Sequence, residues 1–568
     1  MEEKKKFDWF FQEREDQEGS GWESASLKHF QDRPFKSLGK EIIQNSLDVP
    51  ETTDAKVHVN FELIQRPTAE IPGFENLKRR IEYCYKDRLD WTAHEHHKDI
   101  KRALDTIENE KIWILKIQEE NTKGMKGPCE PGKHNNFYKY LKTQGSSNKD
   151  ESFGQRGSHG MGKAAPIIHS HLHTIFVSTC YKEEYDKVAN EIVSLDEDKH
   201  LLMGRASLQS HYERDENDEK AENLSNNIGY YGTNLYRPIE NPQNIESLPE
   251  WMKRSDVGTD IFIIGFNRDD DKWHGKLSAS VIVSYFAAIQ RDKLEVKVTY
   301  KPGMSPIIIK AENLDECFDD LDQFIGKNND VTEDDFRDSR DFLKTLKNPE
   351  FKTETIKIKD LGEFKIYLGS KREDGERNVG LIRENMFICR LGDKGSFPHF
   401  HIRTLNRFEG CNILVETLDQ AAKDSIRNME PPQHNKVEVD RIKDQEQKKI
   451  MDKGLEKFKD EFIEKIMKKY YAKEQREPED LDIFDPWFQM EGDSDGSEDI
   501  DYTSGIRFLE SKSKKQKSVF NDKTVSDDYK TGGAYKAILN LFAQQLDDKK
   551  FAEHCRKFFK GNKDENNT

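Results

Sequence analysis

Four short apolar runs, at 56–64, 113–117, 174–179 and 261–266, are separated by stretches with helical pattern, among them 38–47 and 81–107. Strands scattered among helices predict a layered α+β domain over roughly the first 270 residues, because each element must bury its apolar side against another. A second part follows the same rule, with a helix at 278–289 and strands at 294–300, 352–358, 364–368 and 386–391. At 568 residues the chain is too long for one core. The expected divisions are 1–272, 273–430, a charged amphipathic helix at 431–475, an acidic linker at 476–502 and a small helical unit at 503–568. The charged, Asn-rich stretch between 195 and 250 reads as a surface insertion. Leu455, Phe458, Phe462, Ile466 and Tyr470 make one apolar stripe on the charged helix, which predicts packing against its own domain.

Charge and cysteines narrow the function classes. The net charge of −17 excludes coating nucleic acid by charge alone, although a local basic groove is compatible with it; the basic run 511–517 reads first as a solvated loop, with nucleic-acid contact the lesser alternative. The longest apolar stretches, 261–266 and 281–289, are strand- or helix-sized, so no spanning helix and no membrane partner is expected. The first residues lack the apolar core of a secretion signal. Seven dispersed cysteines without a C-x-x-C pair read as reduced thiols in a cytoplasmic protein.

The chemistry sits in four pieces. In GKEIIQNSLDV, Glu41, Asn45 and Asp48 share one helix face, and Ile42, Ile43 and Leu47 can anchor the other. An amide oxygen is a hard ligand for Mg²⁺, and a carboxylate can deprotonate water. Taken alone, such a face is more often simply solvated. In KIWILKIQEENTKGMKGP, an apolar strand runs into Glu119 and Glu120, then Asn121, Thr122, Gly124 and Met125. A carboxylate at a strand end can accept from an exocyclic amine; the plain alternative is an acidic turn. In GQRGSHGMGKAA, Gly157, Ser158, His159, Gly160, Met161 and Gly162 can bring backbone N–H groups to phosphate, and Lys163 adds a cation. This run satisfies most of a P-loop pattern, but Ala164 stands where the Mg-binding Ser or Thr belongs and no apolar strand precedes it. Finally, Gly258-Thr259 opens the strand IFIIGF, where a Thr hydroxyl can face a ligand or merely cap its own turn.

In this order the four pieces resemble the GHKL, or Bergerat-fold, ATPase family of gyrase-B-like, heat-shock-chaperone, histidine-kinase and MutL proteins, over roughly residues 35–270. The resemblance implies an α/β sandwich ATPase domain followed by a transducer-like α+β domain and C-terminal helices. It implies ATP and Mg²⁺ as cofactors, Glu41 as general base, Asn45 as the Mg²⁺ ligand and Asp48 as supporting acid. It makes Gly157–Lys163 the lid, with Lys163 on the phosphates, and sets Thr259 near adenine. The family's D-x-G-x-G-M box stands here as E-E-N-T-K-G-M. Glu119 is then the adenine-reading acid when counted from the strand, and Glu120 when counted back from Gly124-Met125; strand alternation favours Glu119.

The resemblance further implies ATP hydrolysis driving a conformational switch, with a homodimer closing on nucleotide and a protein partner it does not identify. The setting it suggests is bacterial antiviral defence or a DNA transaction. Two alternatives remain at this point. One is a nucleotide-binding module without turnover. The other is a histidine-kinase-type phosphotransferase, which His29 alone, in a short N-terminal stretch, supports poorly. Three histidine groups (His94/His96/His97, His169/His171/His173 and His399/His401) read as surface or packing residues, since no Cys or carboxylate lies at zinc spacing. Arg383, Arg390 and Lys365 are the second-part cations that could reach back to a γ-phosphate.

Overall fold

The computed structural model describes residues 7–23, 25–28, 30–127, 135–143, 162–182, 198–215, 218–326, 330–348 and 352–473, which belong to one compact unit. The expected linker, the small C-terminal unit and the basic run 511–517 lie outside the described residues.

The architecture is mixed α/β. In chain order the first elements are β1 (Asp8–Glu13), α1 (Pro34–Leu47), β2 (Val57–Pro67), α2 (Phe74–Lys86), α3 (His97–Glu108) and β3 (Lys111–Glu120). Then come α4 (Asn136–Lys142), α5 (Ala164–Ile167), β4 (Ser170–Lys182), β5 (Asp198–Ser207), β6 (His211–Asp215), β7 (Asp218–Gly232), β8 (Ile239–Glu240) and β9 (Gly258–Phe266). The chain continues through α6 (Trp273–Gln290), β10 (Leu294–Thr299), β11 (Ile307–Ile309), α7 (Leu314–Leu321) and α8 (Glu333–Lys347). The last elements are β12 (Thr353–Ile358), β13 (Gly362–Arg372), β14 (Arg377–Arg383), β15 (Met386–Arg390), β16 (Gly410–Thr417), α9 (Gln420–Met429) and α10 (Gln445–Phe462).

An 11-stranded sheet runs β1-β7-β5-β4-β9-β3-β2-β10-β11, with β6 on β7 and β8 on β5. All its pairings are antiparallel except β10 with β2. β9 is buried along its whole length, as a central strand covered on both faces must be. On one face Val59, Phe61, Leu115, Ile117, Val177 and Ile261 pack with α1, α5 and α6. On the other, Ile112, Ile114, Phe176, Phe262 and Ile264 pack with α2 and α3. The expected four apolar strands are therefore β2, β3, β4 and β9, each longer than its apolar run because pairing continues where the side chains turn polar.

Three expectations change. The stretch at 195–250 is no surface insertion: β5, β6 and β7 occupy it, and β7 carries β1 at the sheet edge. Pairing is a backbone property, so an edge hairpin tolerates polar side chains that a core strand would not. The continuous helical pattern at 81–107 is two helices broken between Lys86 and His97. The large sheet also takes β10 and β11 from beyond residue 272, because α6 is the crossover that returns the chain from β9 to lie beside β2.

α6 is apolar on every side and buried from Gly275 to Ile289 apart from Lys276. A helix of that kind needs neighbours all round, and it has α1, α7, α8 and β15. The second sheet, β12-β13-β16-β14-β15, lies beyond it. α10 covers that sheet through Leu455, Phe458 and Phe462, with Phe458 against Phe364, Phe397 and Phe400.

β1 is fixed mainly by Trp9, which is 1% exposed and meets Phe176 and Tyr231 edge-on at ring-centroid distances of 5.4 and 5.7 Å. Trp9→Ala is expected to cost about 3–5 kcal/mol. The check is an earlier first transition in thermal unfolding, with faster proteolytic cleavage ahead of residue 30.

Candidate functional site

The polar face of α1 is built by what its other face buries. Pro34 starts the helix at its first position, where no N–H is needed. Leu38, Ile42 and Ile43 are fully buried, whereas Leu47 is only partly so. Gly39 sits 3.5 Å from Leu277 and Val281 of α6, measured from where a Cβ would stand. Glu41 is consequently held at 6% exposure, with Asn45 Nδ2 donating to its Oε1 at 3.4 Å. Burial pushes the Glu41 carboxyl up to about 7, against the hydrogen bond from Asn45. A Cβ at Gly162 would fall 1.5 Å from Glu41 Oε1, so any side chain there would require the Glu41 carboxylate to move.

Lys163 is 5% exposed, and its Nζ donates to the carbonyl of Thr143, just past α4. Burial pushes it down to about 7, and the neighbouring Arg205 adds to the effect. Arg205 itself donates to Leu141 O at 2.5 Å and to Tyr230 Oη at 2.9 Å, fixing the end of α4. Gly157, Ser158, His159, Gly160 and Met161 lie outside the described residues.

Across β3, β9 and β4 one register line joins Glu119, Thr259 and Thr179. These three lie two residues from Ile117, Ile261 and Val177, so they face the same side as α1. Glu119 is 2% exposed, and burial raises its carboxyl to about 8. Glu120 points to the opposite face, where its Oε2 lies 4.0 Å from His58. Met125 N donates to Thr179 Oγ1 at 2.9 Å and to Thr259 Oγ1 at 3.2 Å. Gly124 has φ +67°, and a Cβ there would lie 2.2 Å from Cys180 O. Asn121 shapes the turn: its φ is +58°, and its Nδ2 donates to Lys56 O at 2.8 Å. Thr122 is buried.

Three buried polar atoms of this region have no hydrogen-bond partner among the described residues: Glu119 Oε1, Thr122 Oγ1 and Tyr140 Oη. Burial raises the Tyr140 phenol well above its ordinary range, with the charges of Glu119 and Glu41 acting in the same direction. Tyr140 and Thr179 were not selected from the sequence. Thr179 had a signal, since it shares the register of the 174–179 run with Thr259; Tyr140 had none, because α4 is short and carries no clear period.

Asp48 pairs with Arg427 at 3.5 Å, and its charge adds to the upward push on the Glu41 carboxyl. Of the cations considered for a γ-phosphate, Arg383 is buried on Glu430 at 2.7 Å and Glu384 at 2.6 Å. Arg390 pairs with Asp338 at 2.6 Å, and Lys365 lies over the Tyr367 ring. The histidines mostly hold backbone or neighbours: His169 meets Pro34 O and His173 meets Ser207 O. His96 differs from expectation, since tertiary contact brings Glu23 to 3.1 Å, beside the local Asp99 at 3.3 Å.

No protein-family model matches the chain, and no curated protein is similar to it in sequence. Solved structures that align with it include the ATPase region of Saccharomyces cerevisiae topoisomerase II, at 8% identity and TM-score 0.28, covering 68% of this chain and 76% of that one. The 43K ATPase domain of Thermus thermophilus gyrase B, bound to an aminocoumarin, aligns at 10% identity and TM-score 0.29, covering 78% and 90%. The Francisella tularensis topoisomerase IV ATP-binding domain, bound to an inhibitor, aligns at 10% identity and TM-score 0.27, covering 74% and 92%.

Thr179 and Thr259 together hold the Met125 amide, so removing both hydroxyls leaves a buried donor unmet. The double variant Thr179→Val/Thr259→Val is expected to lose about 1–3 kcal/mol, and either single change clearly less. Thermal midpoints of the three variants provide the measurement.

Proposed function

We propose that this chain binds an adenine nucleotide with Mg²⁺ on the α1 face of the large sheet and hydrolyses it. The observation that carries the reading is convergence: α1, the end of β3, the start of β9 and the Gly162-Lys163 segment bring Glu41, Asn45, Glu119, Thr259 and Lys163 to one face of one sheet. Four segments that each read as ordinary on their own meet in the order an ATPase of the GHKL type requires.

The donor set suits a hard cation. Asn45 spends an amide hydrogen on Glu41, which leaves its Oδ1 for a metal. Mg²⁺ there would neutralise charge developing on the phosphates. Glu41, raised toward neutrality by burial, is placed to take the proton of a water that attacks the γ-phosphorus as the bond to the ADP oxygen breaks. Lys163 and the segment from Gly157 would hold the phosphates, and Glu119, Thr122, Met125 and Thr259 the base. Glu119 is assigned the adenine because it is buried on this face, whereas Glu120 is turned to the other.

Glu41→Ala is expected to keep nucleotide binding and lose roughly 10²–10⁴-fold in turnover, measured by calorimetry and phosphate release. Asn45→Ala is expected to abolish Mg-ATP binding. A P-loop site at Gly157–Lys163 would be indifferent to Asn45, so unchanged affinity assigns the phosphates there instead.

The switch proposed with this activity is self-association promoted by ATP more than by ADP. Lys163 now rests on a carbonyl at the end of α4, and a γ-phosphate offers it a partner that ADP lacks. Ligand can shift the equilibrium only by that differential affinity. Sedimentation with a non-hydrolysable ATP analogue is expected to give a larger species than with ADP; equal masses exclude a nucleotide-gated dimer.

A further inference from the structure

The face of the large sheet away from α1 carries a convergence of its own. Trp22 is buried there with α2 and α3, 2% exposed and stacked on His173 of β4 at a ring-centroid distance of 4.6 Å. That anchor fixes where the next residue, Glu23, is set down. The Trp22 amide donates to Thr92 Oγ1 at 2.9 Å, and His97 Nε2 meets Thr92 O at 2.9 Å. The N-terminal segment and the start of α3 are thus pinned to the same threonine.

His96 stands between them. Its Nε2 lies 3.1 Å from Glu23 Oε2 and 3.3 Å from Glu95 Oε1, and its Nδ1 lies 3.3 Å from Asp99 Oδ2. One ring nitrogen of His96 and one oxygen each of Glu23 and Asp99 fall within 4.8 Å of one another. Three carboxylates around one imidazole make an excess of lone pairs, because a neutral ring has a single N–H to give. Two cations reach the cluster, Lys28 at 3.7 Å from Glu23 and Arg102 at 3.9 Å from Asp99. Their side chains are 61% and 53% exposed, so water screens them and they compensate little. A compact cation held by the three converging groups would balance them.

We propose that Glu23, His96 and Asp99 bind a divalent transition-metal ion, zinc, on the face of the sheet opposite α1. The donor set decides the class of ion. An imidazole nitrogen with two carboxylates suits Zn²⁺, whereas Mg²⁺ and Ca²⁺ take oxygen ligands. Bonds of ~2.0–2.2 Å place tetrahedral ligand atoms about 3.3 Å apart, a spacing that rotation of the two carboxylates supplies. Three protein ligands leave a fourth position for water. Glu95, with its side chain 78% exposed, stays outside the set. Gln31 Nε2 donates to Glu23 Oε1 at 2.9 Å, so the oxygen that the metal does not use is already held. A bound ion staples the segment ahead of α1 to α3. None of these residues belongs to the nucleotide reading, and the inference stands or falls apart from it.

The sequence holds 17 histidines and seven cysteines, so zinc uptake by the wild type decides nothing by itself. The test compares full-length proteins, stripped with a chelator and titrated with zinc sulfate by calorimetry at pH ~7.5. His96→Gln is expected to lose one saturable site that the wild type has, and Glu23→Gln and Asp99→Asn to weaken it at least tenfold. Gln31→Ala keeps all three ligands and removes an outer partner, so a loss of about 10–100-fold is expected. Gln31 is exposed, which keeps the test open where a ligand change impairs folding. With magnesium chloride in place of zinc, wild type and His96→Gln are expected to give the same heats.

A second readout is trypsin cleavage after Lys28. Zinc is expected to slow it in the wild type and to leave it unchanged in His96→Gln. Equal zinc affinity in wild type and His96→Gln, or in wild type and Gln31→Ala where His96→Gln does not fold, overturns the proposal and makes the zinc adventitious. A magnesium response that depends on His96 as strongly as the zinc response overturns the choice of ion, leaving a cluster that gathers any divalent cation.

Discussion

The packing of α1 against α6 is the contact on which the rest of the site depends. α6 is apolar all round, so it must be enclosed, and α1 supplies one wall through Leu38, Gly39, Ile42 and Ile43. Tyr285 of α6 adds a polar pin, its hydroxyl donating to Lys40 O at 2.6 Å. Once those residues are committed inward, helical geometry leaves Glu41 and Asn45 no choice of direction. The energy that aims the polar face is hydrophobic burial, and the polar residues inherit their positions from it.

The other side of α1 is tied to the second sheet by charge. Lys40 Nζ donates to His434 O at 2.8 Å, and burial, with Lys36 adding, pushes its ammonium down to about 7. His434 Nδ1 meets Glu430 at 2.6 Å, and Glu430 is gripped by Arg383 of β14. Asp48, at the helix end, meets Arg427, which also holds Glu384. Arg291, just past α6, forks onto Glu416 of β16 at 2.6 and 2.9 Å. Buried ion pairs of this kind fix geometry more than they add stability, because desolvation offsets most of their attraction.

Much of the fold was legible because hydrophobic period survives in the sequence. Val57, Val59 and Phe61 alternate, and the 261–266 run is apolar throughout, so β2 and β9 could be read directly. The stripe of Leu455, Phe458, Phe462 and Ile466 likewise announced a helix with one buried face. The hairpin of β6 and β7 was illegible for the converse reason. Its pairing runs through backbone groups that every residue carries, while its side chains carry no period. The break between α2 and α3 escaped because apolar residues on either side of it, Ile81 and Ile107 among them, are buried in the same cluster.

The sequence by itself determined which chemistry was on offer: a helix presenting Glu41 and Asn45, an acid at the end of an apolar strand, and a glycine-rich approach ending in Lys163. These follow from local spacing, which periodic backbone geometry converts into shared faces. Tertiary structure decided which of these groups meet and in what state. It buried Glu119 and left Glu120 exposed, paired Asp48 with Arg427, and brought Tyr140 near Glu41 and Glu119 from a position with no distinguishing pattern. Burial, register across β3, β9 and β4, and the company of distant charges are properties of the assembled layers. No window of neighbouring residues contains them.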